Sequence, residues 1–409
     1  MLDPTATFER LLLKTATQTL TRLADNAALP TAAERDQALH VLSFALANAT
    51  AWPLARDLLL TLAPRMEQLG HRSDWIPYLE RGLQVSESRC DAQTAGECQL
   101  QLGLLYRLLG EFDQAQQWVK ASIATFALTD DKNGQARAYL EQAWIDHLQH
   151  RYIAVAAHVE QAQLLLAPDA PEQAICLRIL GTIALDQGRY EEAESYQRAA
   201  LPRFEQLGDR RKAAWTLHNL ANALRGQTRY REAINYYEQA ATLLLALGDQ
   251  YHWAMAQMNL GTTYCNSEQP AEGLACHRKA QQVFVKLNDK LNIAKTNTGL
   301  GIGFLMQQEF AQAVTAFQHS SEQFAELGYE NWRLNALDGL AMTYLAAEHY
   351  EQAVLILEQA IAALPQIVEA PNYSYLTQSL AQHLTQAQEG ERRRLVEPLP
   401  SSSSLTIES

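Results

Sequence analysis

Residues 220–240 read LANALRGQTRYREAINYYEQA, and this stretch decides the fold because its pattern recurs every 40 residues. The copies are LGTIALDQGRYEEAESYQRAA at 180–200, LGTTYCNSEQPAEGLACHRKA at 260–280, LGIGFLMQQEFAQAVTAFQHS at 300–320 and LAMTYLAAEHYEQAVLILEQA at 340–360. Self-similarity at a fixed period of about 20 to 50 residues is typical of proteins built from one repeated supersecondary unit. The sequence therefore predicts a repeat array.

Three features of the copies predict a pair of antiparallel helices in each. A small residue such as Gly181 or Ala221 lets two helices touch closely, and an aromatic residue such as Tyr190 or Tyr230 begins the second helix. After the copies that begin at 180, 220 and 260, Leu-Gly-Asp or Leu-Asn-Asp then ends the pair, because Gly or Asn accepts the left-handed conformation and Asp caps the next helix. The same features recur at Gly261, Gly301, Ala341, Phe310 and Tyr350, with Pro270 once in the aromatic position.

The ends of the chain differ from its middle, as repeat arrays require. Less regular copies precede the five, marked by Gly103 and Ala143, and a degenerate one covers residues 53–88 with Leu69-Gly70 as its turn. Two helices split at Leu29-Pro30, the second capped by Thr31, come before them. We therefore predict an N-terminal helical cap at 1–52, about eight helix pairs at 53–368, a C-terminal capping helix at 369–389 and a disordered tail at 390–409.

Charge and composition exclude several classes of function. The formal net charge of −13 disfavours a surface for nucleic acid or for anionic membranes. Asp3 and Glu9 lie where an export signal carries only positive charge, and no apolar run reaches the about 18 residues of a membrane helix. The five scattered cysteines fit reduced thiols. We expect a cytoplasmic protein.

Over roughly residues 53–368, these columns resemble the tetratricopeptide repeat family. The usual family period is about 34 residues, so copies of 40 imply longer helices. Long repeats of this kind are similar to those of spindle-orientation adaptors and of the sensor arms of bacterial STAND-type regulators. The stretch MEQLGHRSDWIPYLERGLQVSE, from Met66, resembles the entry into such bacterial arms, although the chain contains no Walker motif. The resemblance implies an all-α fold, an alpha-alpha superhelix of antiparallel helix pairs.

The resemblance also implies that the first helix of each pair lines a concave groove. Residues three and four apart share one face of such a helix. On this basis we predict that a partner's peptide or helix contacts Arg178, Trp215, His218, Asn222, Arg225, Met255, Met258, Asn259 and Lys295. The methionines and Trp215 are either an adaptable apolar floor or ordinary packing between repeats.

Family members that bind chaperone tails grip a C-terminal carboxylate with a clamp of five polar residues. The corresponding residues of this chain are His218, Asn222, Asn259, Lys295 and Gly299, so the fifth is missing. An amide grips a peptide backbone and a cation pairs with a carboxylate. Clamp-like use, a looser polar groove and solvated residues without a ligand remain three interpretations of this pattern.

No sequence motif supports catalysis. The chain contains neither G-x-S-x-G nor H-E-x-x-H, and His147 and His150 lack further ligands at metal-binding spacing. We expect no enzyme activity, no metal and no cofactor. The predicted function is a scaffold or adaptor that binds another protein; the alternative is a sensor module of a STAND-like signalling system that binds a small ligand or a partner domain. A homo-oligomer is compatible with either.

Overall fold

The computed structural model of the chain describes residues 4–25, 30–69, 72–370 and 372–396. Within these ranges all regular structure is helical, with 19 α-helices, one 3-10 turn and no strand. The predicted all-α class of stacked antiparallel helix pairs is confirmed. The described helices fall into two compact units, Met1–Gln187 and Gly188–Ser409.

The first unit contains the predicted cap and the irregular copies. Its helices are α1 (Pro4–Asp25), α2 (Ala32–Ala47), α3 (Trp52–Leu69), α4 (Arg72–Ser88), α5 (Ala92–Leu109), α6 (Phe112–Leu128), α7 (Lys132–Leu148), α8 (Tyr152–Leu165) and α9 (Glu172–Asp186). Thr31 caps α2 in a capping box with Glu34, as predicted. Leu29 and Gly70, on which two predicted turns rest, lie outside the described residues.

The second unit contains the regular copies and the C-terminal helix. Its helices are α10 (Tyr190–Gln206), α11 (Arg210–Gly226), α12 (Tyr230–Ala246), α13 (Gln250–Asn266), α14 (Pro270–Lys286), α15 (Lys290–Met306), α16 (Phe310–Leu327), α17 (Glu330–Ala346), α18 (Tyr350–Ala363) and α19 (Tyr373–Val396). A 3-10 turn, Leu364–Ile367, precedes α19. Every second helix from α10 to α18 begins at its predicted aromatic residue or at Pro270.

Local signals set the boundaries between these helices. Gly208 and Gly248 end α10 and α12 with φ of 68° and 70°, the left-handed region that glycine enters without steric cost. Asp209 and Asp249 then accept hydrogen bonds from the backbone N–H of Lys212 and His252, at 3.0 and 3.3 Å. These bonds satisfy donors that the first turn of a helix leaves unpaired.

One column of second-helix side chains fills the gap between successive first helices. It consists of Tyr237, His277, Phe317 and Leu357, each at most 1% exposed. Phe317 shows why the neighbouring first helices carry glycine. A Cβ at Gly301 or Gly339 would lie 2.9 or 2.4 Å from its ring, closer than packed atoms approach.

The C-terminal helix α19 closes the second unit. Leu376 and Leu380 are fully buried in the core that α17 and α18 also line. The capping helix was predicted at 369–389 and a disordered tail at 390–409, but α19 continues to Val396. Gly390 packs against the ring of Tyr350, and Arg394 Nη1 donates to the Glu348 carbonyl at 3.4 Å. Residues 397–409 lie outside the described residues.

His277 is the exceptional member of the buried column, because it is ionisable. Its ring lies between Gly261 and Gly299, and neither ring nitrogen has a hydrogen-bond partner among the described residues. Burial lowers the pKa of His277 to about 4, so the ring is neutral at pH 7. The folded state therefore binds a proton less readily than the unfolded state.

We expect this histidine to make the second unit sensitive to acid. A histidine whose folded pKa is depressed costs stability as the pH falls from its unfolded value of about 6.5 towards the folded value. Between pH 7 and pH 5, His277→Leu should lose roughly 1–2 kcal/mol less stability than the wild type. Urea unfolding at the two pH values measures the difference. The exposed His319→Leu serves as the control, and an equal loss in His277→Leu and wild type would refute the prediction.

Candidate functional site

The predicted contact residues occupy equivalent positions on successive first helices of the second unit. We use the name first-helix face for the positions of Trp215, His218, Asn219, Asn222, Arg225 and Gly226 in α11, and for their equivalents 40, 80 and 120 residues later in α13, α15 and α17. Met255, Met258 and Asn259 are the equivalents in α13, and Lys295 is one in α15. Eight of the nine predicted residues thus lie on this face.

A hydrogen-bonded network joins three of them. Asn259 Nδ2 donates to His218 Nε2 at 3.0 Å and to Asn222 Oδ1 at 3.3 Å. Tyr237, from the buried column, donates its hydroxyl hydrogen to Asn222 Oδ1 at 2.5 Å. The structure brings together residues that sequence spacing selected in two different repeats, and adds Tyr237, which sequence reasoning missed.

The network depends on a neutral His218. Burial, reinforced by the positive charges of His252 and Arg225, lowers the pKa of His218 to about 4. A neutral imidazole has one accepting nitrogen, which is the role that the Asn259 N–H requires. Asn259 Oδ1 accepts no hydrogen bond from any described residue. The network therefore fixes the two asparagines and leaves this carbonyl oxygen for a donor from outside.

Trp215 is held by Arg211, one turn earlier in α11, and by His252 from the first turn of α13. The Arg211 guanidinium lies 4.9 Å from the centre of the Trp215 ring, and the His252 ring lies 4.7 Å from it. Asp249 accepts from Arg211 Nε at 2.9 Å and contacts His252 Nδ1 at 2.9 Å. Burial raises the pKa of Asp249, but the bond from His252 and the charges of His252 and Arg211 outweigh it and lower the pKa to about 2.

The two methionines of α13 differ in their surroundings. Met258 is 8% exposed and packs with Ala254, Ala280 and Phe284 in the core. Met255 is partly buried at the edge of the same cluster. For Met258 the structure favours packing between repeats over contact with a ligand.

Two cations lie on the first-helix face without an ion pair to any described residue. The first, Arg225, is partly buried near the C-terminal end of α11. The second, Lys295, places its Nζ 5.0 Å from the centre of the Trp332 ring. Burial lowers the pKa of Lys295, and the negative charge of Asp289 opposes this shift. A partly desolvated ammonium of this kind gains energy from an incoming carboxylate.

Gly299, the missing fifth residue of the clamp pattern, has a steric explanation. A Cβ at this position would lie 2.3 Å from His277 Cε1. The ring of His277 fills the space that a side chain of residue 299 needs. A five-residue carboxylate clamp therefore does not fit this packing.

Arg178, the ninth predicted residue, belongs to the first unit. Its guanidinium lies 4.8 Å from the centre of the Trp144 ring, and His147 packs edge-on against the same ring at 5.4 Å. His147 Nε2 lies 2.6 Å from Asp186 Oδ2. Trp144 and His147 thus form a cluster with Arg178. Among the described residues of the chain, no group of three or more His, Cys, Asp or Glu side chains is arranged to hold a metal ion.

A double-mutant cycle tests the steric account of Gly299. Gly299→Ala adds a good helix former, which alone stabilises a helix by about 1 kcal/mol. Against the ring of His277 the added methyl group should instead destabilise the protein by roughly 1–3 kcal/mol. In the His277→Ala background the same change should be neutral or stabilising. Urea unfolding of the four proteins measures the coupling, and an identical effect in both backgrounds would exclude the steric account.

Comparisons with known proteins concern the family and the fold. The family model described as tetratricopeptide repeat matches residues 172–246, 254–326 and 293–366. No curated protein sequence matches the chain. None of the described helices is both long and apolar enough to cross a membrane.

Three of the solved structures that share the fold match about nine tenths of this chain. A STAND protein with a tetratricopeptide repeat sensor, from Pyrococcus horikoshii, is 12% identical with a TM-score of 0.57, and the match covers 90% of this chain and 54% of that one. A Rap protein in complex with competence and sporulation factor is 15% identical, with a TM-score of 0.55 and coverage of 91% and 99%. Aspartyl phosphate phosphatase F from Bacillus subtilis is 13% identical, with a TM-score of 0.53 and coverage of 90% and 96%.

At these identities the likeness concerns the fold alone, and this chain spans about half the length of the STAND protein. The family model, the 40-residue period and the stacked helix pairs agree with one another. The repeats between residues 172 and 366 belong to the tetratricopeptide repeat family.

Proposed function

We propose that the chain is a binding scaffold whose first-helix face holds an extended peptide segment of a partner protein. The observation that carries this proposal is the network of His218, Asn222 and Asn259. It fixes two amides from successive repeats and leaves the side-chain oxygen Oδ1 of Asn259 unpaired among the described residues. A peptide backbone offers N–H donors that suit such an acceptor.

The size of the face favours a peptide over a small metabolite. Its polar groups are distributed over α11, α13 and α15. Neighbouring packed helices lie about 8–10 Å apart, so three in a row span roughly 20 Å. An extended chain covers this distance with about six residues. The predicted alternative, a sensor for a small ligand, would engage only part of the face.

The chemistry of the face favours binding over catalysis. Proton transfer at neutral pH is most efficient for a group whose pKa is near 7. The pKa of His218 is about 4, and the ring is partly enclosed by the asparagines. The family model that matches the chain describes a repeat and no enzyme. We therefore propose a non-enzymatic adaptor, in which binding of the partner is itself the function.

Selection from a phage-displayed library of random twelve-residue peptides tests the proposal. We expect the wild-type protein to enrich a set of related sequences. Asn222→Ala with Asn259→Ala should weaken the selected peptides at least tenfold, because the backbone loses its fixed amides. Isothermal titration of synthetic copies measures the affinities.

The outer face of α12 provides a matched control. Gln239 Nε2 donates to Asn235 Oδ1 at 3.3 Å, and both side chains are exposed. Asn235→Ala with Gln239→Ala removes an equivalent amide pair and should leave peptide affinity unchanged. Peptides that bind the Asn222/Asn259 variant as tightly as wild type would place the site elsewhere. A library without any enriched sequence, beside a metabolite that binds, would favour the sensor alternative.

A further inference from the structure

The polarity of the first-helix face changes from α11 to α17. The position occupied by Asn222 in α11 becomes Thr262 in α13, Ile302 in α15 and Met342 in α17. Ile302 and Met342 are 37% and 41% exposed. Met306, which lies one helical turn after Ile302 in α15, is 40% exposed. At this position the face is therefore polar on α11 and α13 and apolar on α15 and α17.

These apolar side chains lie beside a layer of partly buried leucines. Leu305 and Leu345 are partly buried, and both pack against the core of the C-terminal repeats. Ile302, Met306 and Met342 are the exposed neighbours of that layer. Exposed apolar groups grouped on a rigid base are typical of a surface that another molecule covers.

Methionine is concentrated here. The chain has six methionines, and Met255, Met258, Met306 and Met342 all lie on first helices of the second unit. The unbranched, polarisable side chain of methionine adapts to differently shaped apolar partners. Its exposure at 306 and 342 is better explained by contact with a variable apolar side chain than by packing within the fold.

The charge of the face indicates the rest of the ligand. No position of the face on α11, α13 or α15 carries a carboxylate, although the net charge of the chain is −13. Arg225 and Lys295 are its cations. On α17 the face position equivalent to His218 is an acid, Asp338. It is 4% exposed, and Ser379 and His383 bind its carboxylate. The face thus complements an acidic ligand.

We propose that Ile302, Met306 and Met342 form an apolar subsite for a bulky side chain of an acidic peptide whose carboxylate lies at Lys295. This inference rests on the proposed function of the same face. Lys295 precedes Ile302 by seven residues of α15, or about 10 Å along the helix. In an extended peptide this distance corresponds to about three residues between the acidic and the bulky position.

The methionine methyl groups report directly on the subsite. With all methionines labelled with 13C in the ε-methyl group, two-dimensional NMR gives separate signals for Met306, Met342 and the fully buried Met66. The probe is an acetylated and amidated ten-residue peptide of glycine and serine, with one glutamate three residues before one phenylalanine. We expect the Met306 and Met342 signals to shift on titration, and the Met66 signal to remain in place.

Variant peptides separate the two halves of the ligand. Replacing phenylalanine by serine should abolish the shifts, and replacing glutamate by glutamine should weaken binding at least threefold. A glutamine peptide with a free C-terminal carboxylate distinguishes a terminal from a side-chain carboxylate as the group at Lys295. Recovery of affinity assigns the terminus, and continued weak binding assigns the glutamate. Equal shifts with all peptides, or none with the first, would overturn the proposal.

Variant proteins supply the second test. Ile302→Glu with Met342→Glu should weaken the probe peptide at least tenfold. Leu355→Glu, at a position 67% exposed on α18, should not change its affinity. If the methyl signals respond only to rising protein concentration, or only to phosphatidylglycerol vesicles, the occupant is a second copy or a membrane and the proposal is wrong. If library-selected peptides need Asn222 and Asn259 but tolerate Ile302→Glu with Met342→Glu, this subsite fails while the proposed function stands.

Discussion

The structure of the second unit depends on one packing constraint, the insertion of a second-helix side chain between two consecutive first helices. Tyr237, His277 and Phe317 occupy this position in three successive repeats and are almost completely buried. Beside His277 and Phe317, the rings fill the available space and the first helices on both sides carry glycine, as at Gly301 and Gly339 beside Phe317. Close packing of this kind tolerates little change in volume.

The same constraint decides which polar groups the first-helix face can offer. Where the inserted residue is Tyr237, its hydroxyl group reaches Asn222 and helps to fix the amide network. Where it is His277, the imidazole takes the space beside Gly299 and no side chain emerges there. A core residue therefore controls the surface chemistry of the neighbouring helix. The ligand preference of each repeat is coupled in this way to its packing.

Much of the fold was predictable because its signals are local. The starts of α10 to α18, the left-handed turns at Gly208 and Gly248, and the aspartate caps all depend on residues within a few positions of one another. The extension of α19 to Val396 was not predictable. Its polar Glu-Arg-Arg-Arg sequence resembles a tail, and the contacts that order it come from Tyr350 and Glu348, about 40 residues earlier.

The candidate site was predictable only in part, because several of its contacts join residues that are far apart in the sequence. Repeat spacing selected Asn222 and Asn259, which the structure brings into contact. The spacing gave no sign that Tyr237 would join them, or that His252 would pack against Trp215, because these contacts cross between helices. Repeat spacing predicted a ligand contact for Met258, yet its side chain packs into the core.

The closing helix α19 has a consequence for how this chain can evolve. It packs against both α17 and α18, and His383 and Ser379 bind Asp338 of α17. These are the contacts that the first helix of another repeat would make. A duplicated repeat added after α18 would have to displace α19 and expose Leu376 and Leu380. Gene duplication can therefore lengthen the array from within, by copying an internal 40-residue segment, while α19 and its contacts stay unchanged.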